Sequence, residues 1–370
     1  MATNLATTAK LAPEALALGV LRVGILGYGY WGPKLARNFH EMPGSQLEIV
    51  CDVRVDRLAE VADLYPEAAL TTNYEALLES DVDAVIVATP VALHYRLAKS
   101  ALLAGKHVMV EKPITRRSDH ARELITLAEE RGLTLMVGHT FVYNPAVEAV
   151  REIIQSGELG TLYYLNSTRV NLGLLQPDIN VMWDLAPHDL SILQFILGMD
   201  PVSVSARGAV YVNKYSNLPE VAYVVLRFED GVMANLRLSW LDPVKKRNLV
   251  IVGSQKMMVY DDLADNKVLI FDKGVEVPAY SVTEEEFQAS YRHGSENPVT
   301  LEWTEPLRAE CSHFIECIRT GAVPRSGGHT GLRIVQVLET AQRSLMNGGV
   351  ELRVEYSPYA AFPAESRAKE

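Results

Sequence analysis

The chain has 370 residues, 48% of them hydrophobic, and a formal net charge of −11. That length exceeds what one core organises, so about two domains are expected. The acidic balance, with no dominant Lys/Arg block, argues against nucleic acid as a partner. Three cysteines, Cys51, Cys311 and Cys317, form neither a disulfide framework nor a set at metal-ligand spacing, which points to a reducing cytoplasm and to no metal.

Residues 1–20 are expected to form a flexible extension, because Glu14 interrupts their apolar stretch and a basic leader is nearly absent. No run approaches the roughly 20 apolar residues a spanning helix needs, so no membrane role is expected. From Leu21 to Ala146, short apolar runs alternate with helix-length segments, the pattern of a doubly wound parallel sheet. The predicted strands are Leu21–Leu26, Leu47–Cys51, Ala84–Ala88, His107–Val110 and Leu133–Val137. Helical spacing marks DRLAEVADLY, NYEALLES, VALHYRLAKSALLAG and SDHARELITLAEERG between them.

The first strand runs into GYGYWG, where Gly27, Gly29 and Gly32 fit G-x-G-x-x-G and Pro33 suits a first helical turn. In that context the first glycine permits the turn, the second admits a pyrophosphate, the third allows close helix–strand packing, and the helix N-terminus favours the negative charge. Twenty residues after Gly32, Asp52 ends the second strand, placed to take the ribose hydroxyls of an adenosine. Its charge favours NAD over NADP, although Arg54 and Arg57 blunt that argument and leave NADP open. One or more of Tyr28, Tyr30 and Trp31 are expected to wall the cofactor or sugar site, with core packing the equal alternative for Trp31.

Further polar groups follow the other strands: Thr89, Pro90 and His94, then Glu111, Lys112 and Pro113, then Gly138 to Thr140. Ligands of such sheets sit beyond the carboxyl ends of the strands, so this rim is the expected cofactor site. Lys112 is the candidate of most consequence, since an ammonium facing a nicotinamide could stabilise the alkoxide that forms as hydride leaves a carbinol carbon. His94 has a plainer reading as an anchor for its helix.

After Val147 the rhythm changes. The helix PAVEAVREIIQSG leads to TLYYLNSTRVN, and VAYVVLRFEDGVMANLRLSW alternates on either side of Asp230-Gly231, a hairpin signal. NLVIVGSQKMMVYDD and NKVLIFD add strands, so residues 147–370 are expected to form an α/β domain with a large, open, mostly antiparallel sheet, free on one face for subunit contact. Two late helices, PLRAECSHFIECIRTG and GLRIVQVLETAQRSLMNGG, are expected to fold back to cover their apolar stripes. In WDLAPHDL, Asp184 stands four residues before His188, and a helix would set carboxylate and imidazole on one face. A carboxylate orienting an imidazole fixes its tautomer for proton transfer, while an ordinary helix-start ion pair is the competing reading. Arg169, Asn171, Gln176, Asp178 and Asn180 are polar enough to read sugar hydroxyls, and Tyr143 and Asn144 also stand near the rim. Lys246 and Arg247 could grip a diphosphate, or could be a solvated charge run.

Together, GYGYWG, EKP and Asp-x-x-x-His resemble the Gfo/Idh/MocA oxidoreductases, the glucose–fructose oxidoreductase and inositol dehydrogenase group, from Leu21 to about Tyr356. NPAV, WDLAPHD and SWLDPVKKR are similar to the branch of the UDP-N-acetylglucosamine 3-dehydrogenases. The resemblance implies a Rossmann domain over residues 21–146, a substrate and oligomerisation domain over 147–370, and a homodimer or homotetramer built through the second sheet. It implies a catalytic set of Lys112, Asp184 and His188, with Pro113 the family's frequently cis proline. The implied activity is NAD(P)-dependent oxidation of a secondary hydroxyl, C3 by the branch, on a sugar, nucleotide sugar or glycoside. A redox-elimination glycosidase and a cofactor-sensing regulator are the rival readings of the same fold.

Overall fold

The computed structural model describes residues 19–173, 175–176, 178–215, 217–276 and 289–356. Of the expected N-terminal extension, all but Gly19 and Val20 lies outside the described residues. The described parts of Met1–Glu111, Thr126–Met136 and Glu310–Pro324 form one compact unit, and those of Lys112–Ile125, Val137–Ala309 and Arg325–Glu370 form another.

The N-terminal sheet is made by β1 (Leu21–Leu26), β2 (Ser45–Cys51), β3 (Ala69–Thr71), β4 (Ala84–Val87), β5 (His107–Glu111) and β6 (Leu135–Gly138), in the order β3-β2-β1-β4-β5-β6. β1 runs parallel to β2 and β4, and β4 to β5. Each residue of β4 is buried, as expected of a strand covered on both faces. The intervening helices are α1 (Gly32–Glu41), α2 (Val55–Leu64), α3 (Tyr74–Glu79), α4 (Val91–Leu103) and α5 (Ser118–Glu130). α1 carries Pro33 in its first turn, where a missing N–H costs nothing, and buries Leu35, Ala36 and Phe39. Phe39 meets Phe314 edge-on, with ring centroids 6.5 Å apart. The Arg319 guanidinium donates to the Gly44 carbonyl at 2.8 Å. β3 went unseen in the sequence because three residues are too few to show alternation.

In the other unit a 3-10 turn (Thr140–Tyr143) precedes α6 (Pro145–Gln155), β7 (Leu162–Leu172) and α7 (Val181–Leu197). The strands β8 (Ser203–Ala209), β9 (Val221–Arg227), β10 (Met233–Ser239), β11 (Leu241–Gly253), β12 (Met257–Asp261), β13 (Val268–Glu276) and β14 (Ser290–Pro298) follow. Then come α8 (Pro306–Thr320), whose residues from Glu310 onward belong to the first unit, α9 (Gly328–Met346) and β15 (Leu352–Arg353). The nine-stranded sheet has the order β14-β13-β12-β11-β7-β10-β9-β8-β15, antiparallel except where β10 lies parallel to β7. The expected hairpin forms, with Val221–Arg227 antiparallel to Met233–Ser239 and Gly231 at φ 87°. One face of β7, β9 and β10 carries the exposed side chains Tyr164, Tyr223, Val225 and Met233. The opposite face is buried and α7 packs on it, flanked by α6 and α9.

Beneath α7 lies a buried ion pair. Arg169 of β7 donates through Nε to Asp189 Oδ2 at 2.9 Å, and Ser167 Oγ donates to Asp189 Oδ1 at 2.8 Å. Both charged side chains are nearly solvent-free, so neither ion has water to fall back on. Replacing Asp189 by Ala strands a guanidinium in the core and is expected to cost about 3–5 kcal/mol. Equilibrium denaturation checks this, and a loss under 1 kcal/mol would mean that the pair contributes little to the fold.

Candidate functional site

The glycine turn of the first unit has the shape a dinucleotide requires. Gly27 adopts φ 99°, and a Cβ there would stand 2.7 Å from the Ala88 carbonyl oxygen. A Cβ on Gly32 would collide with the Gly27 oxygen, so the helix can approach the strand only without one. At Gly29 a Cβ would meet nothing within 4 Å, which leaves the backbone open to a ligand such as a pyrophosphate. Asp52 closes the arrangement: its Oδ2 accepts from Tyr28 N–H at 2.6 Å and its Oδ1 from Arg54 N–H at 2.9 Å. The residues present therefore fit an NAD-type cofactor.

The aromatics of the turn divide. Tyr28 is only 1% exposed, so its ring belongs to the core and cannot wall a ligand site, contrary to the expectation from sequence; burial also pushes its hydroxyl up to about 12. Tyr30 is 77% exposed and meets Trp31 edge-on. Lys34 lies over both rings, its Nζ 3.7 Å from the Tyr30 centroid and 4.5 Å from that of Trp31. Farther along the rim, the buried His94 ring bonds through Nε2 to the Thr89 carbonyl at 2.8 Å, tying α4 to the turn in which Pro90 caps it. Glu111 is buried at the end of β5.

The second unit begins with Lys112, joined to Pro113 by a cis peptide bond. Lys112 Nζ donates to the main-chain oxygen of Asp184 at 2.8 Å and to its Oδ1 at 3.3 Å. Trp240, directly after β10, donates through Nε1 to Asp184 Oδ2 at 3.2 Å. The carboxylate is thus divided between an ammonium and an indole. Pro187, inside α7, has no N–H to give the turn before it, and the Asp184 carbonyl that receives Lys112 lies in that turn.

Asp184 and His188 sit one turn apart on α7, as their spacing predicts, yet the carboxylate does not orient the imidazole. Among the described residues, the Nδ1 of His188 is shut from solvent with no hydrogen-bond partner. Phe141 meets the His188 ring edge-on with centroids 5.2 Å apart. Burial, then the positive charge of Lys112, holds the His188 pKa well below the ordinary imidazole value, with Arg169 adding to the effect. His139, at the end of β6, is 1% exposed, and neither of its ring nitrogens has a hydrogen-bond partner among the described residues. Burial and Lys112 lower it to about 3.

Four residues expected to read a sugar turn out to serve the fold. Tyr143 is buried with its hydroxyl on Ser326 Oγ at 3.0 Å, and Asn144 caps α6 by accepting from Ala146 N–H at 2.9 Å. Arg169 is committed to Asp189, and Asn180 caps α7 through Met182 and Trp183 N–H, both at 3.1 Å. All four side chains are buried, and a buried polar group needs a partner within the fold. Asn171, Gln176 and Asp178 are half-buried, and Arg116 donates to the Asp178 carbonyl. Lys246 is exposed, while Arg247 is half-buried and paired with Asp262 at 3.3 Å. His139 stood within the Gly138–Thr140 stretch of the expected rim, whereas Phe141 and Trp240 were not singled out from sequence; for Trp240 the signal was its place immediately after a strongly alternating strand.

No group of three or more His, Cys, Asp or Glu side chains able to hold a metal occurs among the described residues, and no described helix is long and apolar enough to cross a membrane. Residues 21–139 match the oxidoreductase family with an NAD-binding Rossmann fold, and residues 147–259 match the GFO/IDH/MocA C-terminal domain. The chain is 31% identical over 319 residues to the UDP-N-acetylglucosamine 3-dehydrogenase of Acidithiobacillus ferrooxidans, covering 85% of this chain and 94% of that one. A solved structure of a UDP-N-acetylglucosamine 3-dehydrogenase from that organism superposes with a TM-score of 0.74 at 27% identity, over 88% of this chain and 98% of its own. The scyllo-inositol 2-dehydrogenase (NAD(+)) of Bacillus subtilis is 26% identical over 317 residues, covering 82% and 88% of the two chains. The two family matches, the extent of these alignments and the glycine turn agree, and the chain belongs to the Gfo/Idh/MocA family of oxidoreductases, whose first domain is an NAD-binding Rossmann fold.

Proposed function

We propose that the protein is a dehydrogenase that reversibly oxidises a secondary hydroxyl, at C3, of a sugar, nucleotide sugar or glycoside with NAD. The observation that carries the reading is the grip of Asp184 on the Lys112 ammonium, one helical turn from an imidazole held neutral. Relatives named for dehydrogenation of UDP-N-acetylglucosamine at position 3 and of scyllo-inositol at position 2 support the substrate class. The three cysteines are buried and form no disulfide, which fits a reducing cytoplasm.

When bound, NAD supplies the acceptor for the hydride that leaves the carbinol carbon. The rest falls to the chain. His188 takes the hydroxyl proton at Nε2, since Nδ1 is enclosed, and its depressed pKa keeps it in the basic form. Lys112 Nζ donates to the oxygen as it gains alkoxide character. Asp184 holds the ammonium by carboxylate and carbonyl together, which fixes its direction before substrate arrives. Proton transfer of this kind is worth roughly 10² to 10⁴ in rate, and one donor to a developing oxyanion about 2.7–4 kcal/mol.

Replacing Lys112 by Ala is expected to lower turnover by about 10² or more while NAD binding persists. Absorbance at 340 nm, with UDP-N-acetylglucosamine, free sugars, inositols and glycosides screened as substrates, reads the rate, and calorimetry reads the binding. A near-normal rate in the variant removes the proposal, and product formed without net NADH reassigns the chain to redox elimination.

The Asp52 carboxylate would repel the 2′-phosphate of NADP, so calorimetry is expected to show NAD binding more tightly. Tighter NADP binding reverses that assignment. The exposed face carrying Tyr164, Tyr223, Val225 and Met233 suits a homodimer or homotetramer, because a monomer would leave those rings and aliphatic groups in water. Light scattering is expected to give a mass of two or four chains, and a single-chain mass contradicts it.

A further inference from the structure

A base that works through Nε2 needs its other nitrogen and its ring plane fixed, and in many enzymes a carboxylate does both. Here Asp184 is engaged by Lys112 and Trp240, and His188 Nδ1 is enclosed without a hydrogen-bond partner among the described residues. The ring that meets the imidazole is Phe141, edge-on, with an interplanar angle of 75° and centroids 5.2 Å apart.

Phe141 is itself constrained. It lies in the 3-10 turn after β6, where Arg325 donates to the Val142 carbonyl at 2.9 Å and Tyr143 bonds Ser326. The Arg169 guanidinium lies 4.5 Å from the Phe141 centroid, a cation–π contact, and Arg169 is held in turn by Asp189, whose other carboxylate oxygen accepts from Ser167. A chain of contacts therefore runs from the buried ion pair through Arg169 and Phe141 to the imidazole.

We propose that Phe141 is the positioning residue of His188: its ring, held by Arg169, sets the plane of the imidazole in place of a carboxylate. The proposal rests on the reading of His188 as the base and adds to it a named cause of its orientation. An aromatic edge contact has directional preference that an aliphatic side chain of similar bulk lacks, so the ring itself is the working element. A phenylalanine present only to fill space would be replaced by leucine with little consequence for the imidazole.

The test compares Phe141→Leu with Phe141→Tyr in the full-length, NAD-loaded protein labelled with 15N at histidine. His188 signals are assigned by their loss in His188→Gln. In the wild type and in Phe141→Tyr the two ring nitrogens of His188 are expected to keep widely separated 15N shifts, as one fixed tautomer gives; in Phe141→Leu they draw together. With a substrate found by the 340 nm screen, Phe141→Leu is expected to lower kcat about tenfold to 10²-fold with KM nearly unchanged, the loss typical of a displaced reacting group. Phe141→Tyr recovers most of it. Unchanged shifts and kcat in Phe141→Leu overturn the proposal, as does collapse of the shifts in both variants. If His188→Gln retains turnover, the reading of His188 as base fails instead, and the two failures are told apart.

Discussion

An ammonium inside a folded chain must be surrounded by acceptors, and Lys112 finds two of them in a single residue, the carbonyl and carboxylate of Asp184. That choice governs the arrangement around it. The acceptors lie in the same stretch of α7 as Pro187, where the regular hydrogen-bond ladder is already interrupted. Trp240 takes the remaining carboxylate oxygen, which settles the side chain between two donors, neither of them His188. The ammonium is aligned at the cost of leaving the imidazole without an anionic partner.

The local charge balance follows from that division. Lys112, Arg169 and Arg247 all lie near enough to His188 to disfavour its cationic form, and burial acts in the same sense. Arg169 is neutralised by Asp189 and Arg247 by Asp262, so these cations are held in place by partners of their own. The imidazole stays uncharged among positive groups. Such an environment suits a proton acceptor that faces an oxygen already stabilised by a lysine.

Much of the fold could be read from periodicity. Apolar runs separated by helical stretches specify the parallel sheet, and the alternation around Asp230-Gly231 specifies β9 and β10, because side-chain period reports directly which faces are covered. The glycine turn was equally legible, since Gly27 and Gly32 answer steric demands that no other residue meets. The second half of the site was not. Lys112 and Asp184 are 72 positions apart, and nothing local announces that an ammonium will reach that carboxylate before an imidazole can. Polar side chains between Arg169 and Asn180 looked available to a ligand, but polarity in a sequence does not distinguish a group that meets solvent from one that caps a helix or neutralises a buried ion. Tyr28 misled for a related reason, because its place in a ligand-binding turn gave no hint that its ring points into the core.

Keeping imidazoles dry also sets how the fold responds to acid. His139 would take a proton near pH 6.5 in an unfolded chain but only near 3 in the folded one, and His188 is displaced in the same direction. Above about 6.5 both groups are neutral in either state and their contribution to stability is complete; as pH falls from there toward 3, unfolding takes up protons and His139 withdraws up to about 1.4 kcal/mol per pH unit, with His188 acting in the same direction. The same seclusion that leaves these rings without water thereby makes the second unit lose stability as its surroundings turn acid.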